Sequence, residues 1–226
     1  MFHRYYLRVP VLQPTAPGWC PVGSVARACL LLGCKLEERA IPIARILSAF
    51  HATDLACDAS LRAAAASGRL PARLTPEDPV FWTTKREAIH AESVVLTRLG
   101  FMVDVETPLK PLASYGRVLA LPASVLGRAL AVCNDLLRVD ACARFPAPVV
   151  ACAAIHVAAR ITRMPLPEDE CPDGPWWSLF DVETSTLLQV VDEIQYMYRW
   201  ARREGIGAVE DPPPPDDDDD DDDSDD

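Results

Sequence analysis

Apolar residues recur along this chain at helical spacing, and the architecture they predict is almost wholly α-helical. From Val25 to Leu36 the sequence is apolar nearly all round, through Ala28, Leu31 and Leu32 and the small Gly33 and Cys34. A helix of that kind is predicted to lie at the centre of a core. Ile41 to His51 reads as a second, more amphipathic helix. Residues 53–75, poor in periodic signal despite Ala63 to Ala66, read as a connecting insertion. Thr75-Pro76-Glu77-Asp78 offers a cap, a proline for the first helical position and acids for the first turn. The helix it predicts runs to Leu99 and stops at Gly100. Another is predicted from Pro108 or Pro111 to about Leu121. Ala123 to Val139 follows, with Leu126, Leu130, Cys133 and Leu137 as its stripe, then Val149 to Ile161, apolar on all sides. A last helix is capped by Asp181 or Thr184 and carries Leu187, Val191, Ile194 and Met197 on one face. Two-residue alternation is brief, around Phe101 to Val105.

One regularity organises these elements. The run Val25 to Lys35 matches Val150 to Arg160 in character, each a helix of small and aliphatic residues ending in a base. A central helix that occurs twice implies two tandem copies of one helical domain, and the long spacing makes this a duplicated bundle and not a solenoid. A length of 226 residues, half of them apolar, accommodates two such domains of about 100 residues each.

Charge sharpens the picture. The net −11 is concentrated at one end: residues 210–226 hold twelve carboxylates and no base, which leaves 21 acids against 22 Lys and Arg in the body. A near-neutral body lacks the strong positive charge of a sequence-independent nucleic-acid binder. Pro212 to Pro215 followed by eight consecutive Asp offer nothing apolar to bury, so disorder is expected from about Gly205 onward. Such a tail is a solvated extension, a docking site for basic partners or a weak divalent-cation site. Eight cysteines form no C-x-x-C pair and several lie in apolar runs, where a thiol behaves as a small hydrophobe. With no secretory signal read and no stretch near the ~20 apolar residues of a membrane span, a reducing compartment is expected, cytosol or nucleus. His3, His51, His90 and His156 are scattered, no metal-ligand spacing occurs and no glycine-rich phosphate loop is present. No catalytic group, cofactor or metal is therefore expected, and His156 reads as a core histidine.

Two charges fall on apolar faces. Glu92 shares a stripe with Ile89, Leu96 and Leu99, and Lys35 shares a face with Ala28, Leu31 and Leu32. A carboxylate so placed is costly unless a cation meets it. Either the two form an internal ion pair or end in solvent, or both serve an external partner; pattern alone leaves these open.

The same residues carry a family resemblance. Ala28-Cys29-Leu30-Leu31-Leu32-Gly33-Cys34-Lys35-Leu36-Glu37-Glu38 resembles the central helix of a cyclin box, and Ala91 to Phe101, ending Leu-Gly-Phe, resembles the box's fifth helix. Asn134 to Asp140 with Arg144-Phe145 is similar to the second box of cyclin L, and Pro148 to Arg160 with Trp176-Trp177 is also similar to cyclins T and K. The resemblance covers roughly residues 1–200. It implies an all-α protein of two tandem cyclin-box bundles, residues 1–106 and 107–204, with the acidic tail 205–226 beyond them. It further implies a non-enzymatic regulatory subunit that binds and activates a cyclin-dependent protein kinase in the nucleus, in RNA polymerase II transcription or pre-mRNA splicing. Contact with that machinery is possible on this reading, and no direct contact with nucleic acid or membrane is expected. By the resemblance Lys35, Glu38, Glu92 and Phe101 lie at the kinase interface. Phe2 to Tyr6 resembles the end of the box's second helix, so the first box is expected to lack its leading helix or helices. Thr107-Pro108 replaces His-Pro, Pro10 to Pro21 replaces a short turn, and poly-Asp replaces the Arg/Ser-rich region of cyclin L. The alternatives are a cyclin that binds a kinase without activating it and a cyclin-fold general transcription-factor-like adaptor on nucleic acid.

Overall fold

The computed structural model describes residues 1–71, 73–166 and 174–205, and among these every regular element is a helix. The tail expected to be disordered lies outside the described residues apart from its first, Gly205. The chain divides into two units, Met1–Val105 and Glu106–Asp226. Among the described residues no helix is long and apolar enough to cross a membrane.

The first unit comprises α1 (Phe2–Tyr6), α2 (Val22–Leu36), α3 (Ile43–Cys57), α4 (Ala59–Ala66) and α5 (Pro79–Arg98). Its main packing is α2 against α5, with α1 and α3 also on α2. Val25, Ala28 and Leu32 meet Ala91, Val95 and Leu99 in one cluster that also holds Tyr5 and Val9. Leu31 meets Ile46, Leu47, Phe81 and Ala88 in a second cluster. The expectation of an all-round buried α2 is corrected: Leu30 is 46% exposed, and Val22 and Leu36 are equally open. Helices occupy only part of its circumference, so part of its apolar surface faces solvent. The α5 stripe is corrected too. Ala88, Ala91, Val95 and Leu99 are buried while Ile89 is half exposed, so Glu92 lies at the edge of the packed face.

Two boundaries also shift. The predicted insertion contains the end of α3 and all of α4, because Asp58 accepts hydrogen bonds from the Ser60 and Leu61 N–H groups and caps an alanine-rich run. Alanine needs no stripe to be helical, only a start signal. The start of α5 lies at Pro79 and not Pro76: Asp78 folds back to accept from the Thr75 N–H and hydroxyl, and the second proline takes the first helical position. Past Arg98, Gly100 and Phe101 both adopt left-handed φ, which ends α5 as predicted; the alternating run after it forms no strand.

The second unit contains α6 (Leu109–Val118), α7 (Ala123–Leu136), α8 (Ala141–Arg144), α9 (Ala147–Ile161), a 3-10 turn (Trp176–Phe180) and α10 (Thr184–Arg203). Here the expectation of a buried central helix holds. Twelve of the fifteen α9 residues are buried, and α6, α7, α8 and α10 all pack on it. Its alanines let neighbouring backbones approach closely. Across them lie Val132, Leu136, Trp176, Leu187 and Ile194. In α7 the buried stripe is Val125, Ala129, Val132, Cys133 and Leu136; Leu130 and Leu137, expected inside, are exposed. Both registers of that helix are apolar, and the one carrying the smaller residues Val125 and Ala129 faces α9.

Candidate functional site

The sequence singled out Lys35, Glu38, Glu92 and Phe101, all in the first unit. Lys35 stands in the last turn of α2, and its ammonium pairs with Glu92 Oε1 on α5. The two ends of the pair differ: the Lys35 side chain is 63% exposed and that of Glu92 only 13%. Glu92 thus anchors the pair from the helix interface while Lys35 reaches out from it. An ammonium has three donors, and one bond to Glu92 leaves others directed at solvent.

Glu38 lies just beyond the α2 terminus with φ 53, the left-handed turn that ends the helix, and is exposed. Local backbone bonds hold it: its own N–H donates to the Lys35 carbonyl, and Arg39 N–H to the Cys34 carbonyl. Lys35 and Glu38 together line a shallow hollow of about 340 Å³ with Leu31, Cys34 and Ile41. Phe101 stands apart, nine positions after Glu92. Its N–H donates to the Leu96 carbonyl, which fixes the left-handed turn, and the residue is 70% exposed. The structure therefore joins Lys35 with Glu92, sets Glu38 beside them, and places Phe101 as a separate exposed aromatic.

Sequence reasoning missed two further features of this unit. Arg27 pairs with Asp54 at 2.9 Å and lies over the Phe50 ring at 5.5 Å, tying α2 to α3. Trp82, half exposed near the start of α5, donates to the Pro76 carbonyl at 2.9 Å and carries Lys85 over its ring at 4.8 Å. Nothing in the sequence brings Arg27 to Asp54 across 27 positions, whereas Trp82 and Lys85 share one helical face at three-residue spacing, a signal that was readable.

In the second unit a groove of about 660 Å³ runs between the end of α7, α8 and α10. Arg144 bridges its floor, bonded to Asp140 at 3.1 Å and to Glu193. These carboxylates push the guanidinium's pKa further up, the Glu193 hydrogen bond most of all. Tyr198 donates to Asp135 at 3.1 Å, and burial followed by that carboxylate pushes the phenol pKa upward. Buried His156 lies edge-on to Trp177 at 5.7 Å, with its pKa lowered to about 4 by burial and then by Arg160. Burial thus keeps the imidazole neutral at pH 7 inside the core of this unit. Among the described residues no group of three or more His, Cys, Asp or Glu is arranged to hold a metal ion.

No protein-family profile matches the chain. Individual proteins do. Cyclin-L1-1 of Arabidopsis thaliana is 29% identical over 212 residues, 93% of this chain and 46% of that protein. Human Cyclin-L1 is 32% identical over 204 residues, 88% of this chain and 34% of that protein. The cyclin L homologue of Caenorhabditis elegans is 28% identical over 211 residues, 90% and 42% respectively. The chain thus spans between a third and a half of the length of these curated relatives.

Proposed function

We propose that this chain, which belongs to the cyclin family and is a relative of cyclin L, is a regulatory subunit that binds and activates a cyclin-dependent protein kinase. Its two units act as the two cyclin boxes on this reading. The setting is the nucleus, in RNA polymerase II transcription or pre-mRNA splicing, with contact to that machinery made through the complex.

The observation that carries the reading is the half-used Lys35 ammonium, steadied by a shielded Glu92 and open to solvent beside Glu38. A cation fixed in direction but with free donors is prepared for an acceptor on a partner, at little ordering cost on binding. Glu38, three positions after Lys35, supplies the opposite charge, and Phe101 supplies an exposed ring of the kind that anchors specific interfaces. Binding acts on the kinase by population shift: a partner that prefers one arrangement of the kinase's Lys–Glu pair and activation loop raises the population of that arrangement. The chain contributes no reacting group, only differential affinity.

The test is affinity capture of the full chain from its native extract beside two variants, Lys35→Ala with Glu92→Ala, and Phe101→Ala. The expected result is a kinase of the cyclin-dependent class with the unmutated chain, lost with both variants while far-UV circular dichroism is unchanged. Phosphorylation of a peptide substrate by the recovered complex then separates activation from binding without activation. Loss of helix together with binding in the double variant, and full binding by Phe101→Ala, would make the pair structural and defeat the interface assignment.

A further inference from the structure

We propose that Thr107, the residue that leads into α6, is a phosphorylation site for a proline-directed protein kinase, and that the phosphate closes the first turn of α6. The chain holds two Thr-Pro pairs, Thr75-Pro76 and Thr107-Pro108, and no Ser-Pro pair. A proline after the acceptor has no N–H. A kinase cleft that offers that position no hydrogen-bond acceptor therefore takes proline and penalises every other residue. The structure separates the two pairs. Thr75 is half-buried, its hydroxyl donates to Asp78 Oδ2 at 2.9 Å, and the acids Glu77 and Asp78 follow its proline. Thr107 is exposed, and its hydroxyl has no hydrogen bond among the described residues. Residues 102–107 belong to no regular element, and all of them but Val103 are exposed. Three positions after Thr107 stands the exposed Lys110, a cation free to pair with an acid beside the kinase cleft.

The reaction is a phosphoryl transfer from Mg-ATP. Thr107 Oγ1 attacks the γ-phosphorus, and the bond from that phosphorus to the β,γ-bridging oxygen breaks. ADP leaves with the electron pair, and the hydroxyl proton passes to the kinase's catalytic carboxylate. Pro108 is buried, so the acceptor is presented by opening the first turn of α6. That turn is lightly held. No side chain caps it, Pro111 brings no donor, and its first backbone bond runs from the Leu112 N–H to the Pro108 carbonyl at 2.9 Å. Helix ends of this kind open at small cost relative to a core. Once in place, the phosphate favours closure. It carries about −1.5 to −2 charge at pH 7. It stands where α6 has no acid in its first turn and where the Leu109 and Lys110 N–H groups lack intrahelical partners. The Lys110 ammonium attracts it from the helix side while Asp104 and Glu106 repel it from the other, so the charge is driven onto α6. Modification thereby turns a loosely started helix into a capped one. None of this requires the chain to be a kinase subunit itself.

The experiment incubates the full chain with Mg-ATP and a purified cyclin-dependent kinase already activated by another cyclin, and maps the phosphate by peptide mass spectrometry. Thr107→Val, Thr75→Val and Lys110→Glu chains are run beside it, as is a synthetic peptide of residues 102–113. The expected result is one phosphate, at Thr107, kept by Thr75→Val and lost in Thr107→Val. Lys110→Glu should acquire it about tenfold more slowly, the effect of losing one charge-assisted contact. Far-UV circular dichroism that matches across the chains excludes misfolding as the cause. In the phosphorylated chain the Leu109 and Lys110 amide lines should shift together with the phosphate as it ionises near pH about 6. Phosphate at Thr75 or elsewhere with none at Thr107 overturns the site. So does phosphorylation of the peptide but not of the chain, which would mean that α6 stays shut. Amide lines that ignore the ionisation of the phosphate overturn its capping of α6.

Discussion

The buried imidazole of His156 makes the stability of the second unit depend on acid in a way that can be worked out in advance. His156 is 4% exposed in the middle of α9, and its pKa is lowered from 6.5 to about 4, first by burial and then by Arg160 one turn on. A histidine with a depressed folded-state pKa binds fewer protons native than unfolded. Its contribution to stability is therefore complete above pH 6.5 and is lost as pH falls from there to 4. With those two values, acidification from pH 7 to pH 4.5 removes about 2 kcal/mol through this one group. The assay is urea unfolding at the two pH values in a chain with Trp19, Trp82 and Trp200 changed to Phe, so that fluorescence reports on Trp176 and Trp177 beside the histidine. His156→Leu in the same background is the reference. Carboxylates titrate alike in both proteins and cancel in the difference. The histidine-containing chain should lose about 2 kcal/mol more on acidification than the leucine variant, a difference well outside the extrapolation error of such titrations. Equal losses in the two would show that His156 is protonated in the native state, and the burial argument would be refuted.

Three further outcomes follow from burial. Leu187→Ala, at a fully buried site against α9, should cost about 2–5 kcal/mol in urea unfolding. Leu30→Ser on the open side of α2 should stay within about 0.5 kcal/mol of the unmutated chain; a large cost at Leu30 would mean that α2 is enclosed after all. Exposed Cys57 should react with Ellman's reagent in the native protein within minutes, whereas Cys133 and Cys152, each pushed up to about 12 by burial, should react only on unfolding. Rapid native labelling of Cys152 would contradict the packing of α9.

The two apolar helices show how far periodicity reads a fold. The sequences of α2 and α9 are alike enough to reveal themselves as a repeat, yet α9 is enclosed by four helices and α2 leaves Leu30 in solvent. Composition states what a helix is able to bury; the number of helices around it decides what it does bury. The same limit explains the stripes of α5 and α7, where Leu99 and Cys133 are buried as read but Ile89, Leu130 and Leu137, expected inside, stand one position away from the buried Ala88, Ala129 and Leu136. In each helix adjacent registers both carry apolar residues, and close packing buries the smaller one, Ala88 over Ile89 and Ala129 over Leu130. For α10, whose apolar face is narrow, Leu187, Val191 and Ile194 were legible without a partner. The helix α4 had a readable signal in Asp58, whose carboxylate caps the Ser60 and Leu61 N–H groups, but a run of alanines shows no face to a test built on stripes.

Charged positions were legible as anomalies and not as pairs. Asp140 and Arg144 stand at helical spacing, but nothing in the sequence brings Glu193 to them across 49 positions. Lys35 and Glu92 are likewise 57 positions apart. The sequence framed these last two as either an internal pair or groups serving a partner, and the geometry makes that opposition unnecessary. An ion pair with one end largely in water contributes about 0–1 kcal/mol to folding, because solvent screens it and ordering the lysine costs entropy. The same lysine transferred into a desolvated interface, already aimed and already neutralised on one side by Glu92, can be worth about 2–5 kcal/mol to binding, since removing it strands a buried acceptor on the partner. The fold therefore gives up little by keeping Lys35, and an interface gains much. A residue pair with that imbalance is expected to show its effect in association long before it shows it in stability.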